Sequence, residues 1–206
     1  MDSLPPVLIF LVAAAAVPAL PTRVRPWAFL VAPVVVFVQV FAVLEPGDTA
    51  TLDWLNLSLL PMTVTALNEV WATVFLIVGV LGGVFALHVT DRLQQAGALA
   101  YLGSALGVVF AGDLLTLITF WELMAVSSML LIISGGRPNS RRAAMRYLFA
   151  HVVGGSLLLA GILWHLGETG GTFELAQFDE STAGWLMFVG VAVNAAIPPF
   201  HAWLVD

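Results

Sequence analysis

One acidic residue, Glu122, lies deep inside an apolar stretch of the sequence and is the first candidate for chemistry. It stands within residues 117–124, of which it alone is charged. A charge near the middle of a bilayer costs at least about 2.5–3.5 kcal/mol, so an ionisable residue there is a functional candidate by default. Burial disfavours the ionised form of a carboxylate and a nearby cation favours it, so a movable charge can make such a group take up or release a proton. The alternative is a protonated structural carboxyl that hydrogen-bonds a neighbouring helix.

Histidines are the second class of candidate, because a neutral imidazole can relay protons at physiological pH. His151 lies about two turns inside the sixth apolar stretch. A structural role, in which the ring hydrogen-bonds a neighbouring helix, is an equally open interpretation of it. We expect that structural role for His88 and His165, which lie near the ends of apolar stretches.

The seventh apolar stretch contains two adjacent prolines, Pro198 and Pro199. Each proline removes an amide donor and crowds the preceding turn, so we predict a kink or break over residues 197–199. Broken helices at membrane depth usually border a cavity or a site. Asn194 precedes the break and His201 follows it, and we expect the polar atoms of both to face the protein interior. The alternative is a plain helix end near the cytoplasm.

The composition excludes several classes of protein. Of 206 residues, 60% are hydrophobic and 10% are charged, whereas a soluble domain carries about 25% charged residues. The absence of cysteine excludes disulfides, thiolate metal sites and thiol nucleophiles, and no basic patch suggests nucleic acid. The sequence contains no glycine-rich nucleotide loop, metal-ligand cluster or nucleophile–base pair. We therefore expect no metal, cofactor or catalytic centre in this chain.

The apolar stretches predict an all-α polytopic membrane protein with about seven spanning helices. Each is long enough, or nearly so, to cross a hydrocarbon core of about 30 Å. They are Pro5–Leu20, Trp27–Leu44, Val70–Val89, Ala96–Ala111, Leu114–Ser134, Ala143–Leu166 and Gly184–Leu204. Between the second and third, residues 52–59 largely alternate apolar and polar side chains and predict a short extended segment or hairpin on the outer surface.

The arginines predict the orientation of these helices in the plasma membrane. All seven basic residues are arginines, and they lie in or beside every second connection, whereas the other connections carry only acidic charges. By the positive-inside rule the N-terminus lies outside, residues 137–142 lie in the cytoplasm and residues 168–180 lie outside. The first apolar stretch has no basic leader, which favours a spanning helix over a cleaved signal peptide.

Two motifs give the sequence a family resemblance. Residues 112–124 resemble the fifth helix of the antiporter-like proton-translocating subunits, and residues 198–206 resemble their broken seventh helix, commonly a Pro-Phe-His-x-Trp-Leu-Pro-Asp run. That family includes the large membrane subunits of complex I, the A-type and D-type subunits of Mrp sodium/proton antiporters, and membrane subunits of membrane-bound hydrogenases. The resemblance covers roughly Val70 to Asp206.

The resemblance implies a fold of about fourteen helices with two inverted repeats, of which this chain would hold the N-terminal half and be incomplete. Residues 1–69 would form two helices and an outer loop, and residues 70–206 helices three to seven, the start of the first repeat. In the family a buried glutamate on helix five pairs with a lysine on helix seven. Glu122 matches the glutamate, whereas Asn194 occupies the lysine position and Val205 replaces the closing proline.

The resemblance implies proton translocation within a larger assembly. Our leading hypothesis is a subunit of the D type in a multisubunit sodium/proton antiporter, with other membrane subunits, protons and sodium as partners. One alternative is a proton-pumping subunit of an NADH–quinone oxidoreductase or hydrogenase-like complex. Another is a non-conducting scaffold or an energy-coupling subunit for uptake of an ion or inorganic carbon. The proton-transfer candidates are Glu122, His151, Asn194 and His201.

Overall fold

A computed structural model of the chain describes residues 4–54, 57–175, 177 and 179–203. The described part contains seven α-helices. They are α1 Pro6–Ala16, α2 Arg25–Ala42, α3 Ala66–Phe85, α4 Arg92–Phe110, α5 Leu114–Ser134, α6 Ser140–Thr169 and α7 Thr182–Asn194. The helices α2 to α6 are long and apolar enough to span a membrane, whereas α1 with its following 3-10 turn, and α7, are shorter. The predicted fold class, a helical polytopic membrane protein, is confirmed.

The connection between α2 and α3 is a β-hairpin. Strands β1 (Thr49–Trp54) and β2 (Leu57–Thr63) pair antiparallel, which confirms the extended segment predicted there and lengthens it at both ends. Met62 on β2 and Val64 just after it are buried in the same apolar core as α1 to α4. The hairpin is therefore anchored to the helices through its second strand.

Asp113 joins the hairpin to the start of α5. Its carboxylate accepts hydrogen bonds from the backbone N–H of Thr116 (2.7 Å), the hydroxyl of Thr116 (2.8 Å) and the backbone N–H of Leu60 on β2 (2.6 Å). The first of these caps the helix, because the leading amides of an α-helix lack partners within it. At the same point Leu114 donates its backbone N–H to the Phe173 carbonyl, in the connection that follows α6. The N-terminal end of α5 is thus fixed from two sides.

The helices from α4 to α7 pack in chain order, α4 against α5, α5 against α6, and α6 against α7. Glycines set two of the close helix contacts in the fold. A methyl group at Gly103 would lie 2.6 Å from Phe10 Cβ on α1, and one at Gly161 would lie 2.7 Å from the backbone nitrogen of Met187 on α7. Since real Cβ atoms do not approach so closely, the helices reach these separations only because the side chains are absent.

Candidate functional site

Glu122 projects from α5 onto α6 at a glycine. It lies eight residues after Leu114, about 12 Å along the axis from the start of α5. A methyl group added to Gly155 would overlap the Glu122 carboxylate, with Cδ only 2.9 Å from the added carbon. The carboxylate therefore occupies the space that a side chain at position 155 would take. This is the predicted acid, partly buried and held between two spanning helices.

Asn194, the last residue of α7, meets α6 at the adjacent glycine. A methyl group at Gly154 would lie 2.7 Å from Asn194 Cγ and 2.9 Å from the Gly190 carbonyl oxygen. Asn194 is 8% exposed, so the prediction that its amide faces the protein interior is confirmed. Two consecutive glycines of α6 thus receive one polar side chain from α5 and one from α7. The structure therefore brings Glu122 and Asn194 side by side on α6. We call this contact of α5 and α7 with Gly154 and Gly155 the seam.

His151 lies one turn before this glycine pair on the same face of α6, because residues four apart on a helix are neighbours. It is 5% exposed. Its ring lies 4.1 Å from that of Tyr147 at an interplanar angle of 33°, and 5.2 Å from that of Trp203 at 71°. The rings of Tyr147 and Trp203 are themselves 5.4 Å apart. Three aromatic rings therefore form one cluster at the cytoplasmic side of the seam, as that side is predicted from the arginines.

The predicted break of the seventh helix is confirmed, and it begins earlier than the prolines. The α-helix ends at Asn194, so the predicted extent to Leu204 is wrong for the described residues. Ala196 has a positive φ of 54°, and the N–H groups of Ile197 and Ala196 donate to the carbonyls of Ala192 and Val193. This is the double hydrogen bond of a Schellman ending, here with alanine where glycine is usual.

After this ending the chain turns back toward α6. A 3-10 turn over Phe200–Trp203 follows the prolines. Trp203 donates its indole N–H to the carbonyl oxygen of Val193 at 3.0 Å, which fixes its ring beside His151. His201 in the same turn is exposed in the described chain, so the prediction that its ring faces the interior is wrong. The turn places the tryptophan, and not the histidine, over the seam.

Several polar atoms in the seam have no hydrogen-bond partner among the described residues. They are Oε1 of Glu122, both ring nitrogens of His151, and Oδ1 and Nδ2 of Asn194. Buried polar atoms are nearly always paired in proteins, so a group of unpaired atoms at one place calls for an explanation. The preceding residue of α5, Trp121, also has an unpaired buried indole nitrogen. Of these groups, the carboxylate and the imidazole can bind a proton, whereas the amide and the indole can only form hydrogen bonds.

Sequence reasoning missed three members of this site. Gly154 and Gly155 carry no chemical group, and their role shows only when neighbouring helices are placed against them. Trp203 was part of the recognised motif, but the sequence does not reveal that it reaches His151. Adjacent glycines midway along a spanning helix are the signal that could have indicated a close approach.

Comparison with known proteins shows which family and which solved structures this chain resembles. Residues 111–206 match the family described as NADH:quinone oxidoreductase/Mrp antiporter, TM. The chain is 27% identical over 205 residues to the A-type subunit of the Na(+)/H(+) antiporter of Alkalihalophilus pseudofirmus, covering 87% of this chain and 25% of that protein. It is 30% identical over 135 residues to the NADH-quinone oxidoreductase subunit N of Anoxybacillus flavithermus, covering 56% of this chain and 27% of that protein.

Among solved structures, a chain of the Mrp complex from Dietzia sp. DQ12-45-1b superimposes with a TM-score of 0.83 at 21% identity. The match covers 97% of this chain and 24% of that one. At that identity the likeness establishes the fold. The chain spans about a quarter of the length of these relatives. The resemblance to the antiporter-like subunits is confirmed.

Proposed function

We propose, from the match of residues 111–206 to the NADH:quinone oxidoreductase/Mrp antiporter transmembrane family, that this chain forms part of a proton-translocating membrane subunit. The subunit belongs to a multisubunit antiporter that exchanges protons for a monovalent cation, and the cation that we propose is sodium. Its partners are the other membrane subunits of that assembly. Residues 1–69 contribute two helices and the outer hairpin, and residues 70–206 contribute the opening helices of the first repeat.

The observation that carries this proposal is the position of Glu122. Its carboxylate rests against Gly155 in a seam of three helices, and its Oε1 has no hydrogen-bond partner among the described residues. A carboxylate used only for structure would be expected to hydrogen-bond a neighbouring helix. A carboxylate that binds and releases protons needs a free oxygen and a place between the helices, and the glycine provides that place.

Asn194 favours antiport over the redox alternative. An amide donates and accepts hydrogen bonds but carries no charge, so it cannot hold Glu122 ionised as a lysine would. The sequence contains no lysine. The nearest arginine on α6 is Arg146, nine residues before Gly155 and therefore about 13 Å away along the axis. In an antiporter the transported cation supplies the missing positive charge beside Glu122. The cation and the proton then replace each other at the same carboxylate.

The orientation of the protein follows from the charges of its connections. We place the N-terminus and the hairpin outside the plasma membrane, and the connection between α5 and α6 in the cytoplasm. In that orientation Glu122 is nearer the outer side, and His151 lies one turn of α6 closer to the cytoplasm. A proton leaving Glu122 inward passes His151 next.

The test is proton and sodium flux in vesicles that contain the assembled complex with Glu122→Gln. Glutamine keeps the size of the side chain but cannot ionise, so exchange should fall at least tenfold while assembly and protein level stay normal. The matched control is Glu45→Gln, the same change at an exposed residue after α2, and it should leave exchange unchanged. Normal exchange with Glu122→Gln would reject the proposal and leave Glu122 a structural group.

The same preparation separates the antiporter from the redox complex. The relative from Alkalihalophilus pseudofirmus is named as part of a Na(+)/H(+) antiporter, and the relative from Anoxybacillus flavithermus as part of an NADH-quinone oxidoreductase. A complex purified through this chain should contain antiporter subunits, and it should exchange ions on an imposed gradient alone. Co-purified redox subunits with bound iron–sulfur clusters, and proton movement only during electron transfer, would instead support the redox alternative.

A further inference from the structure

Among the described residues, one ring from beyond the helix break, that of Trp203, packs against His151. His151 is 5% exposed, yet its two ring nitrogens have no hydrogen-bond partner among the described residues. Its aromatic neighbours are the rings of Tyr147, on its own helix, and Trp203. Because Tyr147 lies one turn away on the same helix, it moves with His151. Trp203 belongs to a separate segment, the 3-10 turn that follows α7.

Trp203 is held in place by one hydrogen bond to the end of α7. Its indole N–H donates to the Val193 carbonyl at 3.0 Å, and Val193 directly precedes Asn194, whose side chain meets Gly154. The segment between the two bonded residues contains the left-handed Ala196 and both prolines. The position of Trp203 beside His151 therefore depends on the position of Asn194, which contacts α6 next to Glu122.

We propose that Trp203 is the gate between the His151 end of the seam and the cytoplasm, and that its bond to Val193 is the latch. With the latch closed, the indole covers the imidazole and no water reaches it from the cytoplasm. When the bond breaks, the segment after α7 swings away and exposes His151. Trp203 transfers no proton and is a positioning residue. The link to transport rests on the proposed function, whereas the cover over His151 does not.

The gate can be tested without measuring transport. Diethyl pyrocarbonate acylates uncharged imidazole nitrogens that it can reach, and mass spectrometry locates each modified histidine. In the assembled complex in native membranes we expect slow modification of His151 and faster modification of His201, which is exposed in the described chain. Trp203→Ala should raise the rate at His151 at least tenfold. Trp203→Phe keeps a ring but lacks the N–H donor, and should give a smaller rise.

Two controls accompany this experiment. Trp27→Ala removes an exposed indole on α2 and should leave His151 protected. His165, partly buried on α6, monitors the fold, and its rate should not change in any variant. Fast modification of His151 in the unaltered complex, or continued protection in Trp203→Ala, would overturn the gate. No rise in Trp203→Phe would overturn the role of the bond, and a joint rise at His165 would indicate unfolding and count against both.

A second measurement connects the gate with the proton path. In vesicles without a sodium gradient, Trp203→Ala should increase the passive proton leak severalfold. Adding Glu122→Gln to the same variant should return the leak to its original value. An unchanged leak in Trp203→Ala would place the gate off the path. If Glu122→Gln alone leaves exchange normal, the proposed function fails while the acylation result still decides whether Trp203 covers His151.

Discussion

Replacing Gly155 with alanine should impair transport without unfolding the protein. The added methyl group would overlap the Glu122 carboxylate and lie 2.9 Å from its Cδ. The three atoms that this methyl group would approach most closely all belong to the Glu122 side chain, and none belongs to a neighbouring backbone. Since a glutamate can rotate about its side-chain bonds, α5 and α6 need not separate. The carboxylate must instead leave its place against α6.

The size of each effect can be worked from this geometry. Alanine stabilises a helix interior by about 0.5–1 kcal/mol relative to glycine, and a displaced glutamate rotamer costs about 0.5–1.5 kcal/mol. These nearly cancel, so the free energy of unfolding should change by less than about 1 kcal/mol. A reacting group misplaced by about 1 Å can lose about a hundredfold in rate. We expect proton–cation exchange to fall at least tenfold.

Two further alanine variants on the same helix serve as controls. At Gly161 the methyl group would meet the backbone of α7, 2.7 Å from Met187 N and 2.9 Å from Ala183 O. Backbone atoms cannot rotate away, so Gly161→Ala should lower stability by about 1–2 kcal/mol, within the usual cost of overpacking. At Gly167 the space is open, so Gly167→Ala should leave exchange unchanged and raise stability by about 0.5–1 kcal/mol, the usual gain of alanine over glycine in a helix.

The assay pairs exchange in vesicles, normalised to folded protein, with thermal unfolding of the purified complex in detergent. The geometry requires Gly155→Ala to be defective in exchange and Gly161→Ala to be defective in stability. Normal exchange by Gly155→Ala would show that Glu122 does not need its place against α6. A loss of stability in Gly155→Ala as large as that in Gly161→Ala would show that the glycine serves helix packing.

Two other predictions concern the frame around the site. Asp113→Ala removes a helix cap and the acceptor for Leu60 N–H, so it should lower the free energy of unfolding by about 3–5 kcal/mol. The control, Asp91→Ala, removes only the cap of α4 and should lower it by about 1 kcal/mol. Equal shifts of the two variants in thermal unfolding would argue against the link between Asp113 and the hairpin. Single cysteines at Asn139 and Thr172, introduced into a chain that has no cysteine, should react with an impermeant thiol reagent from opposite sides of the membrane, and labelling of both from one side would contradict the assigned orientation.

The sequence predicted the parts of this fold that depend on hydropathy. Lipid selects long apolar helices because backbone groups cannot remain unpaired in hydrocarbon, and α2 to α6 lie where the apolar stretches do. The ends of the helices differ from the ends of the apolar stretches. The helix α6 begins at Ser140, three residues before the apolar stretch, so Arg141 and Arg142 extend it beyond the hydrocarbon. Apolarity marks where lipid is, whereas capping and charge determine where a helix ends.

The last helix shows what hydropathy could not predict. Residues 184–204 are continuously apolar enough to suggest one span, and the prolines placed the break at 197–199. The α-helix nevertheless ends at Asn194, because Ala196 takes a left-handed conformation and Ile197 bonds back to Ala192. Alanine rarely adopts that conformation, so nothing in the local sequence signals it. The turn brings Trp203 back to the helix end, where its indole N–H donates to the Val193 carbonyl, and that long-range contact is not visible in the local sequence.

The substitution of asparagine for the family lysine has a consequence for the whole seam. A lysine would fill the space beside Gly154 with a fixed charge, whereas Asn194 brings no charge and two polar atoms without a partner among the described residues. In the function proposed above, the ionisation of Glu122 then responds to mobile species, which are protons arriving past His151 and cations arriving from either side. An open path on both sides would let those species equilibrate without coupling. A side chain that covers one end is therefore needed most in a site without a fixed cation, and Trp203 provides that cover at the cytoplasmic end.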